Sequence, residues 1–209
     1  MNPVTVLFFG SQGAGKGTQV KMLIDFLKTK SDHNVIHIDM GQELRNMRDG
    51  GSYAGKLTGE VIDQGIRMPD FMPTYLQTKK LVDNLTGAEH IIADGLARGA
   101  DQTRAFDDAM QFFKRDNFQI INLVINDDTA VKRLMARGRN DDTEEAIRRR
   151  LAESAGDCCL HLVAARILDA DLSGLLIVSV NHLLPSFGSS RRRARSRRWR
   201  KKSSRTCAC

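Results

Sequence analysis

Nine consecutive residues, Gly10-Ser11-Gln12-Gly13-Ala14-Gly15-Lys16-Gly17-Thr18, gather glycines, one lysine and one hydroxyl at a spacing that suits a polyphosphate. Gly13, Gly15 and Gly17 allow backbone amides to turn inward around phosphate oxygens. Lys16 adds a full positive charge where the N-terminus of a following helix adds a partial one. Thr18 offers a hydroxyl to the shell of a magnesium ion. An ordinary glycine-rich turn would start a helix equally well but would not call for GxxxxGK after a strand. The pattern points to a bound nucleoside triphosphate and leaves the phosphate acceptor open.

The flanking residues supply the elements that hold such a loop. Val4–Phe9 is a continuous β-branched and aromatic run, as expected of a strand buried on both faces. After the loop, Gln19–Lys30 places Val20, Leu23, Ile24 and Leu27 at helical spacing. Val35–Ile38, His90–Ala93 with Asp94 at its end, Phe118–Ile125 and Leu175–Val180 read as four further strands. Helical stretches separate them: Gln42–Arg48, Tyr53–Gln64, Asp70–Leu85, Asp101–Arg115, Thr129–Ala136 and Thr143–Leu168. Strands alternating with helices predict an α/β fold with a parallel sheet covered on both faces.

Three further segments give the chain a family resemblance. Gly15-Lys16-Gly17-Thr18-Gln19, Asp39-Met40-Gly41-Gln42-Glu43-Leu44-Arg45 and Asp94-Gly95-Leu96-Ala97-Arg98 resemble the nucleoside monophosphate kinases, adenylate kinases in particular. Gly51–Gly55, Asp63–Asp70 and Lys132–Asp142 with Arg148–Arg150 are similar to the family's monophosphate-binding and lid segments. The resemblance covers about Pro3–Leu151. It implies a P-loop three-layer sandwich with a central parallel five-stranded sheet, within a kinase domain spanning 1–187. A small helical monophosphate-binding insertion would occupy 39–68 and a short lid 136–142.

The same resemblance implies reversible, magnesium-dependent transfer of the terminal phosphoryl group of ATP to AMP, giving two ADP. Gly13, Ala14, Gly15, Lys16, Gly17, Thr18, Arg133 and Arg137 would bind ATP. Met40, Arg45, Ile66, Met68, Gly95, Arg98, Gln102, Arg139 and Arg150 would bind AMP. The catalytic set would be Lys16, Arg98, Arg133, Arg137, Arg139 and Arg150, with Thr18 and Asp94 at the magnesium, Asp94 through water. Asp141 and Asp142 match the acidic pair beside the lid hinge. For Arg148 and Arg149 the simpler reading is a solvated helix face paired with Glu144 and Glu145. The lid has no cysteine cluster, so no zinc is expected.

Two substitutions keep alternatives open. Met40 stands where adenylate kinases carry threonine beside the adenine of the monophosphate. Leu96-Ala97 replaces a Phe-Pro pair, which loosens the turn before Arg98. A uridylate or cytidylate kinase, or a nucleotide binder with impaired turnover, therefore stands beside the first reading. Gln102, four residues after Arg98, favours adenine.

The chain has 209 residues and a formal charge of +7, from 32 Lys and Arg against 25 Asp and Glu. Ten of those basic residues and no acidic one lie in 188–209, which leaves a net of −3 for 1–187. The basic segment lacks periodic apolar positions and is expected to be disordered. It reads either as a nucleic-acid or anionic-surface segment or as an extension translated out of frame. No apolar run reaches the ~18–20 residues of a membrane span, and the first residues do not resemble a secretion signal. Four cysteines make no disulfide framework and point to a reducing, cytoplasmic compartment. Cys158 and Cys159 read as thiols beside a helix, and Cys207 and Cys209 as a weak metal or oxidation site. No long apolar stripe demands a partner subunit, so a monomer is expected.

Overall fold

Val6, Leu7 and Phe8 are all buried, yet they serve two different cores. Leu7 joins Ile36, Ile38, Ile91 and Ala93 on one face of a sheet, while Val6, Phe8 and Ile92 pack on the other. A strand apolar on both faces belongs in the middle of a covered sheet, and that is its place here. In the computed structural model, residues 1–115, 118–138, 143–155 and 177–180 are described. Strands β1 (Thr5–Gly10), β2 (Val35–Asp39), β3 (His90–Asp94), β4 (Phe118–Leu123) and β5 (Ile177–Val180) form one sheet in the order β2-β3-β1-β4-β5. Every pairing is parallel, with Leu7 opposite Ala93 on one side and Ile120 on the other.

Seven helices are described: α1 (Lys16–Lys30), α2 (Met40–Asp49), α3 (Tyr53–Asp63), α4 (Phe71–Asn84), α5 (Ala100–Phe112), α6 (Asp127–Arg137) and α7 (Glu144–Ala155). Val20 and Leu27 of α1 cover one face of the sheet. Leu76 and Leu81 of α4, with Phe106 and Met110 of α5, cover the other. The result is an α/β fold with a helical layer on each side of a parallel sheet. A third cluster joins α6 to α7 through Ala130, Val131, Leu134, Ile147 and Leu151. Four helix starts carry the side-chain caps their sequences offer, that of α7 through Thr143 Oγ1, which accepts from the Ala146 amide at 3.2 Å. Asp39 Oδ1 accepts from the Gln42 amide at 3.0 Å, Ser52 Oγ from Gly55 at 3.0 Å and Asn126 Oδ1 from Thr129 at 2.8 Å.

The strand and helix expectations hold with small shifts at the ends. The main one is at α1, which begins at Lys16 rather than Gln19, so the end of the phosphate loop is already helical. Helix α7 is described to Ala155; the rest of its expected length lies outside the described residues. Arg139, Asn140, Asp141, Asp142, Cys158, Cys159, Cys207, Cys209 and the whole basic segment 188–209 also lie outside them. Among the described residues, no helix is long and apolar enough to cross a membrane.

At the edge where β3 begins, Glu89 and His90 each accept from backbone amides, while His90 Nε2 has no hydrogen-bond partner among the described residues. The Glu89 carboxylate accepts from the Thr86 hydroxyl, from the Thr86 amide at 2.9 Å and from the Gly87 amide at 3.0 Å. Burial opposes the charge, but these donors outweigh it and hold the Glu89 pKa down at about 2. His90, fully buried, accepts the Val4 amide at Nδ1 over 3.0 Å. That bond requires a neutral imidazole, and burial, His33 and Arg115 all push the His90 pKa down.

Candidate active site

The opposite edge of the sheet, where the parallel strands end, is where an open α/β fold forms its crevice. Strand β1 runs into the glycine-rich loop between β3 and β4. Gly13 takes φ 79°, and a Cβ there would lie 3.0 Å from the Ala130 carbonyl oxygen. The glycine thus lets the loop settle against α6. The Lys16 ammonium folds back to donate to the carbonyls of Gly10 at 2.9 Å and Ser11 at 3.1 Å. Burial lowers the Lys16 pKa; Arg98 and Arg137 push the same way, while Asp94 and Asp39 oppose. Gly17, the second residue of α1, has open space around it, and Thr18 is exposed. Ala14 differs from its neighbours. It is fully buried in the core with Val6 and Phe8, and its amide donates to the Ser11 carbonyl at 3.2 Å. Its part in this state is to build the turn.

Strands β2 and β3 end side by side on Asp39 and Asp94, which are register partners. Burial raises the Asp94 pKa and Asp39 adds to the rise, against Lys16, Arg98 and His37. Asp39 also caps α2, and so fixes the helix that carries Arg45 into the crevice. The Arg45 guanidinium donates to Gln42 Oε1 from Nε at 3.3 Å and Nη2 at 3.1 Å. Met40 is buried at the start of α2, with Met68 half-buried and Ile66 exposed on the same wall.

The loop after β3 takes a course that Phe-Pro would not permit. Ala97 sits at φ 53°, a left-handed value closed to proline. Leu96 and Ala97 are buried, so this turn is packed where the sequence suggested a looser one. Arg98 projects from it, exposed, and Gln102 lies one turn into α5, only 2% exposed.

From the far side, Arg133 of α6 donates to the Gly13 carbonyl at 3.4 Å. Arg137 follows one turn later, and Arg150 of α7 is half-buried with Nε on the Ala146 carbonyl at 3.1 Å. Arg148 pairs with Glu144 at 2.8 Å, as a solvated helix face would. Arg149 departs from that reading: it donates to the Gln64 carbonyl at the end of α3, across the crevice.

These groups enclose one cleft of about 1110 Å³. Gly13, Gly15, Lys16, Gly17, Thr18, Arg133 and Arg137 line its phosphate-loop side. Met40, Arg45, Ile66, Met68, Gly95, Arg98, Gln102 and Arg150 line the other, with Asp94 at the floor. Of the expected site residues within the described part, only Ala14 lies off the wall. Asp39, Arg48 and Arg67 line the cleft as well, without having been singled out. Arg48 could have been found from its i+3 spacing to Arg45, and Arg67 from its place between Ile66 and Met68. Among the described residues, no three His, Cys, Asp or Glu side chains form a metal-holding group. The cleft thus places basic side chains on two sides of one lysine.

Comparison with known proteins points the same way. The family profile described as adenylate kinase matches residues 8–158. The chain is 34% identical over 146 residues to adenylate kinase 1 of Nostoc sp., covering 70% of this chain and 76% of that protein. It is 35% identical to the adenylate kinase of Trichodesmium erythraeum over 71% of this chain and 76% of that protein. The adenylate kinase of Corynebacterium urealyticum is 29% identical, over 81% of this chain and 91% of that protein.

Proposed function

The chain belongs to the adenylate kinase family, phosphotransferases acting on ATP and AMP, and we propose that its cleft performs this transfer reversibly, giving two ADP. The observation that carries the reading is that Arg45 and Arg98 on one side and Arg133 and Arg137 on the other line a single cleft with Lys16. Arg98 from the acceptor side and Arg137 from the loop side both bear electrostatically on Lys16.

In this reading the loop amides and Arg133 hold the triphosphate, and Arg45 and Arg98 hold the phosphate of the monophosphate. Lys16, Arg137 and Arg150 face the group in transit, whose charge spreads over its oxygens, and the family resemblance assigns Arg139 to the same task. The acceptor phosphate is already ionised, so no side chain need act as nucleophile. Positioning and electrostatic stabilisation then supply most of the acceleration. The Thr18 hydroxyl and the Asp94 carboxylate are hard oxygen donors of the kind that suits magnesium, which when bound would neutralise charge on the phosphates. Residues 39–68 serve as the monophosphate-binding insertion and 136–142 as a short lid that excludes water. Gly138, at φ 66°, ends α6 where that lid begins. The lid segment has no cysteine, and the reading includes no zinc. We take the working enzyme to be a cytoplasmic monomer on a five-stranded P-loop core.

The test is ADP formation from magnesium-ATP with AMP, CMP, UMP and GMP in parallel. AMP is the expected acceptor. Turnover of CMP or UMP without AMP would overturn the acceptor assignment, and no turnover with any of them would overturn the enzyme.

A further inference from the structure

Gln102 is buried at the acceptor wall, and both ends of its amide are engaged. The Arg98 backbone N–H donates to Oε1 at 3.3 Å, and Nε2 donates to Asp70 Oδ1 at 2.8 Å. A peptide N–H can only donate and a carboxylate can only accept, so the two partners assign oxygen and nitrogen without ambiguity. Asp70 is itself held by the Arg67 guanidinium at 3.1 Å. The pair lies against the backbone of Gly99, where any Cβ would collide with both side chains. Although Asp70 occupies the cap position of α4, it makes no capping bond there. Its carboxylate is committed to Arg67 and Gln102 instead.

We propose that Asp70 is a specificity-determining positioning residue, which locks the Gln102 amide in the one orientation that suits a 6-amino base. This rests on the reading of Gln102 as the group facing the monophosphate's base. Each engaged amide atom keeps a second valence: one N–H and one lone pair remain for a ligand. Adenine offers an acceptor at N1 beside a donor at N6, which a fixed amide can meet with one N–H and one oxygen. Hypoxanthine, identical in size, reverses both: N1 donates and O6 accepts. To serve it the amide would have to flip. Flipping turns Oε1 toward the Asp70 carboxylate and Nε2 toward the Arg98 N–H, two unpaired contacts in a buried place. Cytosine shares adenine's polarity, so the lock does not exclude it.

The experiment compares kcat/KM for AMP and inosine 5′-monophosphate, with the KM for magnesium-ATP, in the full chain and its variants. Asp70→Ala releases the amide and should lower the AMP:IMP ratio about tenfold, through the KM of the monophosphate. Asp70→Asn keeps an acceptor oxygen for both Arg67 and Gln102, so the ratio should hold there, whereas Asp70→Leu keeps the bulk without an acceptor and the ratio should fall as in Asp70→Ala. Asp70→Leu carries the test should Asp70→Ala melt early. The KM for magnesium-ATP should stay within about twofold, which a general loss of structure would not allow. In a Gln102→Ala background, Asp70→Ala should change the ratio no further. An active Asp70→Leu enzyme with an unmoved ratio overturns the lock alone. An unmutated chain that does not use AMP overturns the parent reading, and the lock with it.

Discussion

Strand β3 starts beside Glu89 and His90 and ends on Asp94, and the fold treats these ionisable groups in opposite ways. At the start of the strand each group is held in the state it takes at neutral pH. Glu89 is an anion surrounded by donors, with its pKa near 2, and His90 is a neutral acceptor whose pKa burial pushes down. At the end of the strand the environment resists the required state. Burial raises Asp94 and lowers Lys16, so both charges are kept where the fold alone would sooner lose them. Five residues of one strand thus separate a structural rim from a working one. The lesson is that the direction of a shift distinguishes them better than its size. Charges that are solvated by their neighbours hold the fold together, and charges that are not await a ligand.

The comparison breaks most visibly at Lys16. Lys16→Met should lower ADP formation by about a thousandfold or more, since the ammonium is the charge shared by both phosphate sets. Its thermal midpoint should move little, because relief of the ammonium's burial offsets the loss of its hydrogen bonds to the Gly10 and Ser11 carbonyls. Asp94→Asn is the second cut. Activity should drop about a hundredfold, while the variant melts at or above the parent at neutral pH. The sign follows from the raised pKa: the folded state disfavours the Asp94 anion, and protonation or amidation removes that penalty. Acidification should therefore reduce turnover as Asp94 takes up its proton, above the range of an ordinary aspartate. Steady-state rates and calorimetric melts of both variants check the pair. A marked loss of stability in either would refute the assignment of this rim as working rather than structural.

How far these features can be read from the chain depends on whether their partners are close in sequence. The phosphate loop was legible because nine adjacent residues carry it, and the strands because their apolar runs are continuous. Lys16, Thr18, Arg133 and Arg137 were found and do share the cleft. Ala14 belongs to that run, and its small side chain fills the core beneath the loop. Asp70 opens the expected helical stretch 70–85, and nothing local reveals that Gln102, 32 positions away, takes its carboxylate. His90 reads as a strand residue, although its function is to accept the amide of Val4, 86 positions back. Arg149 was read as a solvated partner for the acids of its own helix, whereas the fold brings the Gln64 carbonyl within reach. Bonds of this kind are made by topology, and a pattern of neighbours cannot show them.

The mildest cut tests the structural rim. Glu89→Gln keeps the shape of the side chain but withdraws the charge that Thr86 and Gly87 serve, at a cost of about 1–2 kcal/mol. Turnover should be unchanged, because β3 separates this edge from the cleft. The pH dependence gives the sharper reading. A carboxyl whose pKa falls from 4.5 to about 2 on folding contributes stability that is complete above the unfolded value and is lost as pH falls through the folded one. His90 adds an earlier step of the same sign. Its folded pKa lies below 6.5, so the stability it lends begins to decline as acidification passes that value. Urea midpoints measured downward from pH 7 should fall first through His90 and then through Glu89, and Glu89→Gln should flatten only the second part. If Glu89→Gln instead keeps the parent's full slope below pH 4.5, the hydrogen bonds to this carboxylate do not stabilise the fold, and the contrast between the two ends of β3 fails with them.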